Sequence, residues 1–238
     1  MDIEAARAER PWEGKGHDRL VLMEDIGRFA LFDGASQAMA SDIAAATFRE
    51  QHAGVDEFSL PFLNDVFALI QQNILRFGDN LPERYQHLKG QISTTGTAVG
   101  IRTLPNNHNS SVLEYVHAGD SSLWMFDHDS DILRKLTRDE IIGNSPDNCL
   151  PNTRNWLGAL GHRLEQRLGF PLKTGRATLA LFSDGVSSYE TQEGSLTKEK
   201  LEEILRSTDN TPGSKATQII QNSSIKDDAS VIVVEVEQ

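Results

Sequence analysis

A single cysteine, Cys149, stands in the 238 residues, so no internal disulfide can form, and the chain reads as one suited to a reducing compartment, most simply the cytoplasm. No apolar run approaches the roughly 18 residues that suggest a membrane span. The opening segment MDIEAARAERPWEGKG has neither the apolar stretch of a signal peptide nor the acid-poor character of a transit peptide. Basic residues are scarce: 23 Lys and Arg stand against 35 Asp and Glu, a formal charge of −12. That balance argues against a sequence-independent grip on nucleic acid or anionic lipid, which needs basic patches. Low-complexity segments, solenoid-period repeats and Gly/Ser-rich linkers are absent. So are a Gly-x-Ser-x-Gly elbow, although Ser183 and Ser187 flank Asp184, and a phosphate-binding Gly-x-x-x-x-Gly-Lys-Ser/Thr loop.

What is present is a repeated strand ending. RFALFDGASQ (28–37) and TLALFSDGVSS (178–188) are apolar runs that each finish in Asp-Gly, at Asp33-Gly34 and Asp184-Gly185. A strand is expected at about 19–33, leading into an alanine-rich helical stretch (36–51). The next segment (59–77) spaces Phe62, Val66, Leu69, Ile70 and Ile74 on one helical face, with Ser59 as N-cap and Pro61 in the first turn. The two helices read as antiparallel neighbours. Short β-branched and aromatic runs at 93–104, 110–120, 121–129 and 132–137, separated by turn residues, read as an antiparallel meander. A surface loop is expected at 144–155, amphipathic helices at 197–207 and 213–223, and a central strand in ASVIVVEVE (229–237). This order is α+β with largely antiparallel pairing.

Acids recur at the strand edges. Asp18 precedes the first strand, Asp33 and Asp184 end theirs, Asp120 sits in the HAGDS turn, and Asp227 and Asp228 precede the last strand. Two carboxylates about 4 Å apart repel by roughly 4 kcal/mol at an effective dielectric near 20. A convergent set of them calls for cations. All-oxygen ligation favours Mg²⁺ or Mn²⁺ over zinc, since no Cys or paired His is spaced to compete. His52, His87, His108, His128 and His162 read as surface residues, and His117 as a core or supporting residue rather than a ligand. Trp124 and Trp156 read as core packing.

The ordered series GHDR, FALFDGAS, STTGTAVGI, YVHAGDSSLW, NWLGALG, LALFSDGV and DDASVIVV resembles the metal-dependent Ser/Thr protein phosphatases of the PPM (PP2C) family over about residues 16–236. The resemblance implies one phosphatase domain over 1–238, compact and bacterial in style. It implies an α+β, four-layer α-β-β-α sandwich, with two antiparallel sheets flanked by pairs of antiparallel helices. At one end it implies two Mg²⁺ or Mn²⁺ ions and a weaker third. Asp33 resembles the bridging carboxylate, Gly34 the carbonyl ligand, and Asp184 and Asp227 the remaining ligands of the first metal. Asp120 resembles the acid of the weak third metal, and Asp18 the acid near the second. Asp18, Asp33, Asp184 and Asp227 thereby become the expected catalytic set. A water activated between the two metals would attack phosphorus in line, releasing serine or threonine without a phospho-enzyme.

Departures are specific. Glu13 stands where the family carries a phosphate-gripping arginine, leaving Arg10, Lys15 and Arg19 as displaced candidates. His17 replaces a common Glu, Ser36 and Gln37 replace glycines, and Asp228 stands where Asn is usual. The expected partners are a phosphorylated protein and the circuit of a cognate Ser/Thr kinase, with the chain a monomer. Two other readings stay open: a non-catalytic module that binds a phosphoprotein or kinase, and a phosphatase acting on small phosphoesters. Substrate choice is expected in surface loops at 138–156.

Overall fold

A computed structural model describes residues 1–11, 16–35, 38–55, 59–104, 107–137, 141–142, 152–153, 157–158, 165–172, 175–187, 196–223 and 228–237. In chain order its strands are β1 (Asp2–Arg10), β2 (Arg19–Met23), β3 (Arg28–Ala35), β4 (Ser93–Leu104), β5 (Asn107–Ala118), β6 (Ser122–Asp127), β7 (Ile132–Lys135), β8 (Ile141–Ile142), β9 (Asn152–Thr153), β10 (Glu165–Leu172), β11 (Arg176–Phe182) and β12 (Ala229–Glu237). The helices are α1 (Ala38–His52), α2 (Leu60–Asp79), α3 (Asp184–Ser187), α4 (Lys198–Arg206) and α5 (Pro212–Gln221).

Two five-stranded antiparallel sheets carry the fold. One has the order β1-β12-β11-β6-β7, the other β10-β5-β4-β3-β2, and β8 and β9 form a small separate pair. Both faces of both sheets are covered, so the strands read as near-continuous apolar runs. Side chains alternate across a strand, and that alternation sorts the core into three apolar layers. Phe29 and Leu31 of β3, Val99 and Ile101 of β4, and Leu179 and Leu181 of β11 fill the layer between the sheets. Ala30 and Phe32 turn the other way, onto Phe48 of α1 and Phe67 and Ile70 of α2. On the opposite side, Ala180, Phe182, Val231 and Val233 meet Leu201, Ile204 and Leu205 of α4 and Ile219 of α5. The result is the expected helix–sheet–sheet–helix layering.

Local signals account for the helix starts. Ser59 accepts from the Phe62 N–H at 3.4 Å, Thr197 from Lys200 at 3.2 Å and Thr211 from Ser214 at 3.3 Å, with prolines in the first turns of α2 and α5.

Three expectations change. The strand expected at 19–33 is a hairpin of β2 and β3, broken by a 3₁₀ turn at Glu24–Ile26 and by Gly27 at φ 61°. A Cβ at Gly27 would stand 2.7 Å from the Ile101 carbonyl oxygen, so the turn demands glycine. The expected meander is split between the sheets: β4 and β5 pair in one, β6 and β7 in the other, and the chain changes sheet at 119–121. Strands β1 and β10, not expected from sequence, add an edge to each sheet. Most of the expected loop at 144–155 lies outside the described residues, as does Trp156.

Candidate metal centre

The layer between the sheets changes character toward one end. On each strand the alternate residues that are apolar in the middle continue in the same register as polar ones. Leu22 and Leu20 lead to Asp18, and Phe29 and Leu31 to Asp33. Ile101 and Val99 lead to Thr97 and Thr95, and Leu113 and Tyr115 to His117. From the other sheet, Met125 and Leu123 lead to Ser121, Leu179 and Leu181 to Ser183, and Val234 and Ile232 to Ser230 and Asp228. The two sheets thus meet at one end over a polar seam rather than an oily one.

Within that seam the acids gather. Asp18 is 4% exposed, and neither of its carboxylate oxygens has a well-formed hydrogen bond. Burial pushes its pKa up to about 7, the nearby Ser230 and Ser183 hydroxyls and the adjoining Asp33 pull it back, and the Asp228 charge pushes it up further. Asp33 keeps some exposure, yet burial of its carboxyl is the leading cause that raises its pKa well above the ordinary value. The charges of Asp18, Asp184 and Asp120 act in the same direction. Asp120 and Asp184 are half-buried, the latter as the first residue of α3. Gly34 is buried and pairs in register with Thr94.

A scaffold of hydroxyls and backbone groups holds these acids. Thr94 Oγ1 donates to the Asp33 carbonyl at 2.6 Å, and Thr95 Oγ1 meets Ser121 Oγ at 2.7 Å. Ser183 and Ser230 lock the ends of β11 and β12: Ser183 N–H donates to the Ser230 carbonyl, and Ser230 N–H to Ser183 Oγ, both at 3.0 Å. The His17 N–H donates to Asp228 Oδ2 at 2.7 Å, and Ser41 Oγ of α1 donates to the His17 carbonyl at 2.5 Å. Sequence reading named the acids but not this scaffold of Ser41, Thr94, Thr95, Ser121, Ser183 and Ser230. Its signal was the register of STTGT and FSDG, continued past the last apolar residue.

Two of the phosphate-gripping candidates are engaged elsewhere. Arg10 donates to the Ile220 carbonyl at 3.0 Å, the Ser223 carbonyl at 3.3 Å and Ser223 Oγ at 2.9 Å, capping the end of α5. Arg19 donates to the Gly16 and Asp18 carbonyls and pairs with Asp42 at 2.5 Å. Lys15 and Glu13 lie outside the described residues, and so does Asp227. Of the histidines expected at the surface, His52 is instead 1% exposed, enclosed by Phe48 and Phe62. His128 is half-buried and bonded to Thr178 Oγ1 at 2.9 Å, while His87 is exposed. The side chain of His108, and all of His162, lie outside the described residues.

Among the described residues, no three Asp, Glu, His or Cys side chains close on a single point. The chemistry of the set nevertheless fits a hard divalent cation. It is carboxylate throughout, mutually repelling, and includes a buried acid whose oxygens have no well-formed hydrogen bond.

No protein-family model matches the sequence, and no curated protein matches it. Solved structures do match its fold. Stp1, a serine/threonine phosphatase from Staphylococcus aureus, superposes with a TM-score of 0.75 at 17% identity, covering 100% of this chain and 96% of that one. The Mycobacterium tuberculosis serine/threonine phosphatase PstP gives 0.73 at 18%, covering 100% of both chains. A PstP catalytic domain in complex with two manganese ions gives 0.73 at 17%, covering 99% of both. PppA, described as a key regulatory component of T6SS in Pseudomonas aeruginosa, gives 0.70 at 15%, covering 98% of this chain and 97% of that one. The chain has the fold of the PPM-type Ser/Thr phosphatases over its whole length.

Proposed function

We propose that this chain is a divalent-metal-dependent phosphatase that hydrolyses phosphoserine and phosphothreonine in proteins. The observation that carries the reading is the buried carboxyl of Asp18, without a well-formed hydrogen bond and adjoining Asp33 at the end of a sandwich whose fold is that of such phosphatases. Asp33, Gly34, Asp184 and Asp227 would hold one Mg²⁺ or Mn²⁺, Asp33 and Asp18 would serve a second, and Asp120 with Asp184 a weaker third. When bound, such ions supply positive charge to the phosphoryl oxygens and an activated water for in-line displacement of the serine or threonine oxygen. The chain's own part is to fix the carboxylates on two rigid sheets and to keep their other faces dry.

Among the described residues no helix is long and apolar enough to cross a membrane. A cytoplasmic monomer acting on a phosphoprotein, opposite a Ser/Thr kinase, is the setting we propose. Regulation fits the company of PppA, which is described as a regulatory component.

One observation favours a second reading, a phosphoprotein-binding module without turnover. Arg10 and Arg19 are both committed to bonds within the chain. Hydrolysis of an aryl phosphate with Mn²⁺, Mg²⁺, Ca²⁺ or EDTA, beside Asp184→Asn, separates the two. Metal-dependent turnover lost in the variant supports the enzyme. No turnover with any metal, in folded protein, sinks it. Parallel assays on a phosphopeptide and on small phosphate esters then test the substrate class.

A further inference from the structure

The turn at which the chain changes sheet, Gly119-Asp120-Ser121, carries one of the proposed metal acids and is gripped from both sides. On its far side Ser121 Oγ meets Thr95 Oγ1 at 2.7 Å. On its near side the His117 ring Nε2 lies 2.9 Å from the Gly119 carbonyl oxygen, and Nδ1 lies 2.9 Å from Thr97 Oγ1. His117 is 0% exposed, as is Thr97. A carbonyl oxygen only accepts, so the bond to Gly119 requires the proton on Nε2. The remaining nitrogen then accepts from the Thr97 hydroxyl. The Gly119 carbonyl thus selects the tautomer, and the Thr97 hydroxyl holds the ring in place from its other nitrogen.

That carbonyl matters because the acid is its immediate neighbour in the chain. The Gly119 C=O and the Asp120 N–H belong to one planar peptide unit, so holding the oxygen sets the plane from which Asp120 departs. Gly119 takes φ 106°, and a Cβ there would stand 2.5 Å from the Thr95 side chain, so the backbone is pressed against β4 with no room to adjust. Thr95 and Thr97 pair in register with Asp33 and Leu31 of β3. The histidine therefore links β4, which pairs with the strand bearing Asp33, to the turn bearing Asp120.

We propose that His117 is a positioning residue for Asp120, acting through the Gly119 carbonyl, and that it sets the affinity of the weakest of the metal sites. The inference rests on the metal-dependent reading above. Groups that orient a ligand from behind are worth roughly ten- to a hundredfold in metal affinity.

The test uses two substitutions that each keep half of the ring's bonding. In His117→Gln the amide nitrogen reaches where Nε2 stood and can still donate to Gly119. In His117→Asn the shorter side chain can meet only Thr97. Mn²⁺ binding is followed by the electron paramagnetic resonance signal of free Mn²⁺, with the weak step defined as the one missing in Asp120→Asn. The expected result is a roughly tenfold weaker step in His117→Asn, tighter steps unchanged, and most of the affinity restored in His117→Gln. Equal weakening in both variants, or in neither, overturns the proposal. Should the Asn variant not fold, Thr97→Val removes the bond that anchors the ring at Nδ1 while leaving the ring, and is expected to weaken the same step; an unchanged step there also overturns it. If the parent protein binds no Mn²⁺ at all, the metal reading itself falls, and this proposal with it.

Discussion

The backbone N–H of His17 donates to Oδ2 of Asp228 at 2.7 Å, tying the segment that carries Asp18 in one sheet to the start of β12 in the other. An asparagine at 228 can accept the same bond through its amide oxygen. Asp228→Asn is therefore expected to keep its stability within about 0.5 kcal/mol, whereas Asp228→Ala strands a half-buried N–H and costs about 1–3 kcal/mol. Urea denaturation of the two variants, read as a difference in midpoint at constant slope, decides it. Equal losses would show that the carboxylate charge matters more than the bond.

Asp33 is crowded by the charges of Asp18, Asp184 and Asp120. Removing its charge relieves that repulsion but also removes the proposed central ligand. Metal-free Asp33→Asn is expected to melt above the metal-free parent. A hundredfold excess of Mn²⁺ over its Kd should raise the parent's Tm by about 5 °C or more, and the variant's hardly at all. Calorimetry with and without Mn²⁺ checks both halves, and a variant still stabilised by Mn²⁺ would move the ion elsewhere.

Two buried groups make opposing demands on pH. Asp18 has a folded pKa raised to about 7, chiefly by burial, so between about 4 and 7 the folded chain holds a proton that the unfolded chain releases. Stability from this group falls as pH rises through that window. His52 is lowered to about 4, chiefly by burial, with the Phe48 carbonyl opposing and Arg28 adding to the shift. The unfolded chain then holds the extra proton between about 4 and 6.5, and stability rises with pH. In metal-free protein the His52 slope opposes that of Asp18, and Asp33, also raised by burial, adds to the Asp18 side. Asp18→Asn is expected to make the slope more positive, by up to about 1.4 kcal/mol per pH unit, and a polar substitution of His52 to make it more negative. Denaturation midpoints from pH 4.5 to 6.5 measure this; slopes unmoved in both variants would refute it.

Lys215 is fully buried, with Nζ 2.5 Å from Glu235 Oε1 and 3.2 Å from the Leu205 carbonyl. Glu235 also holds Arg176 at 2.8 Å. The pair is therefore asymmetric. Glu235→Ala leaves a buried ammonium without its counter-charge and is expected to cost about 3–5 kcal/mol. Lys215→Met leaves Glu235 with Arg176 and should cost clearly less. Chemical denaturation of both variants tests the order, and the reverse order would mean that the arginine carries no weight.

Most of the layering was legible because the strands announce themselves. FALF, LALF and VIVV are apolar on both faces, as strands covered on both sides must be. The strands that escaped notice lack that signature. DIEAARAER is charged and poor in β-branched residues, and β1 owes its state to pairing with β12 rather than to propensity. EQRLGFPL contains Pro171, which an edge strand such as β10 tolerates. The carboxylates were legible as strand ends, but what holds them was not. Thr94 and Ser183 are ordinary strand residues until the opposing sheet gives their hydroxyls partners. His52 failed as a surface residue for the same reason: its burial comes from Phe62 on the next helix, not from its own neighbours in sequence.

The change of sheet at residues 119–121 has a kinetic consequence. Asp18 and Asp33 belong to one sheet, Asp184 and Asp228 to the other, and only a closed sandwich places them together. No hairpin or single sheet can assemble the proposed centre on its own, so a cation would have little to hold until the two sheets have docked. An ion of that kind adds nothing to the barrier on the way in and much to the barrier on the way out. The mark of the proposed ion would be a longer native lifetime at an unchanged rate of folding.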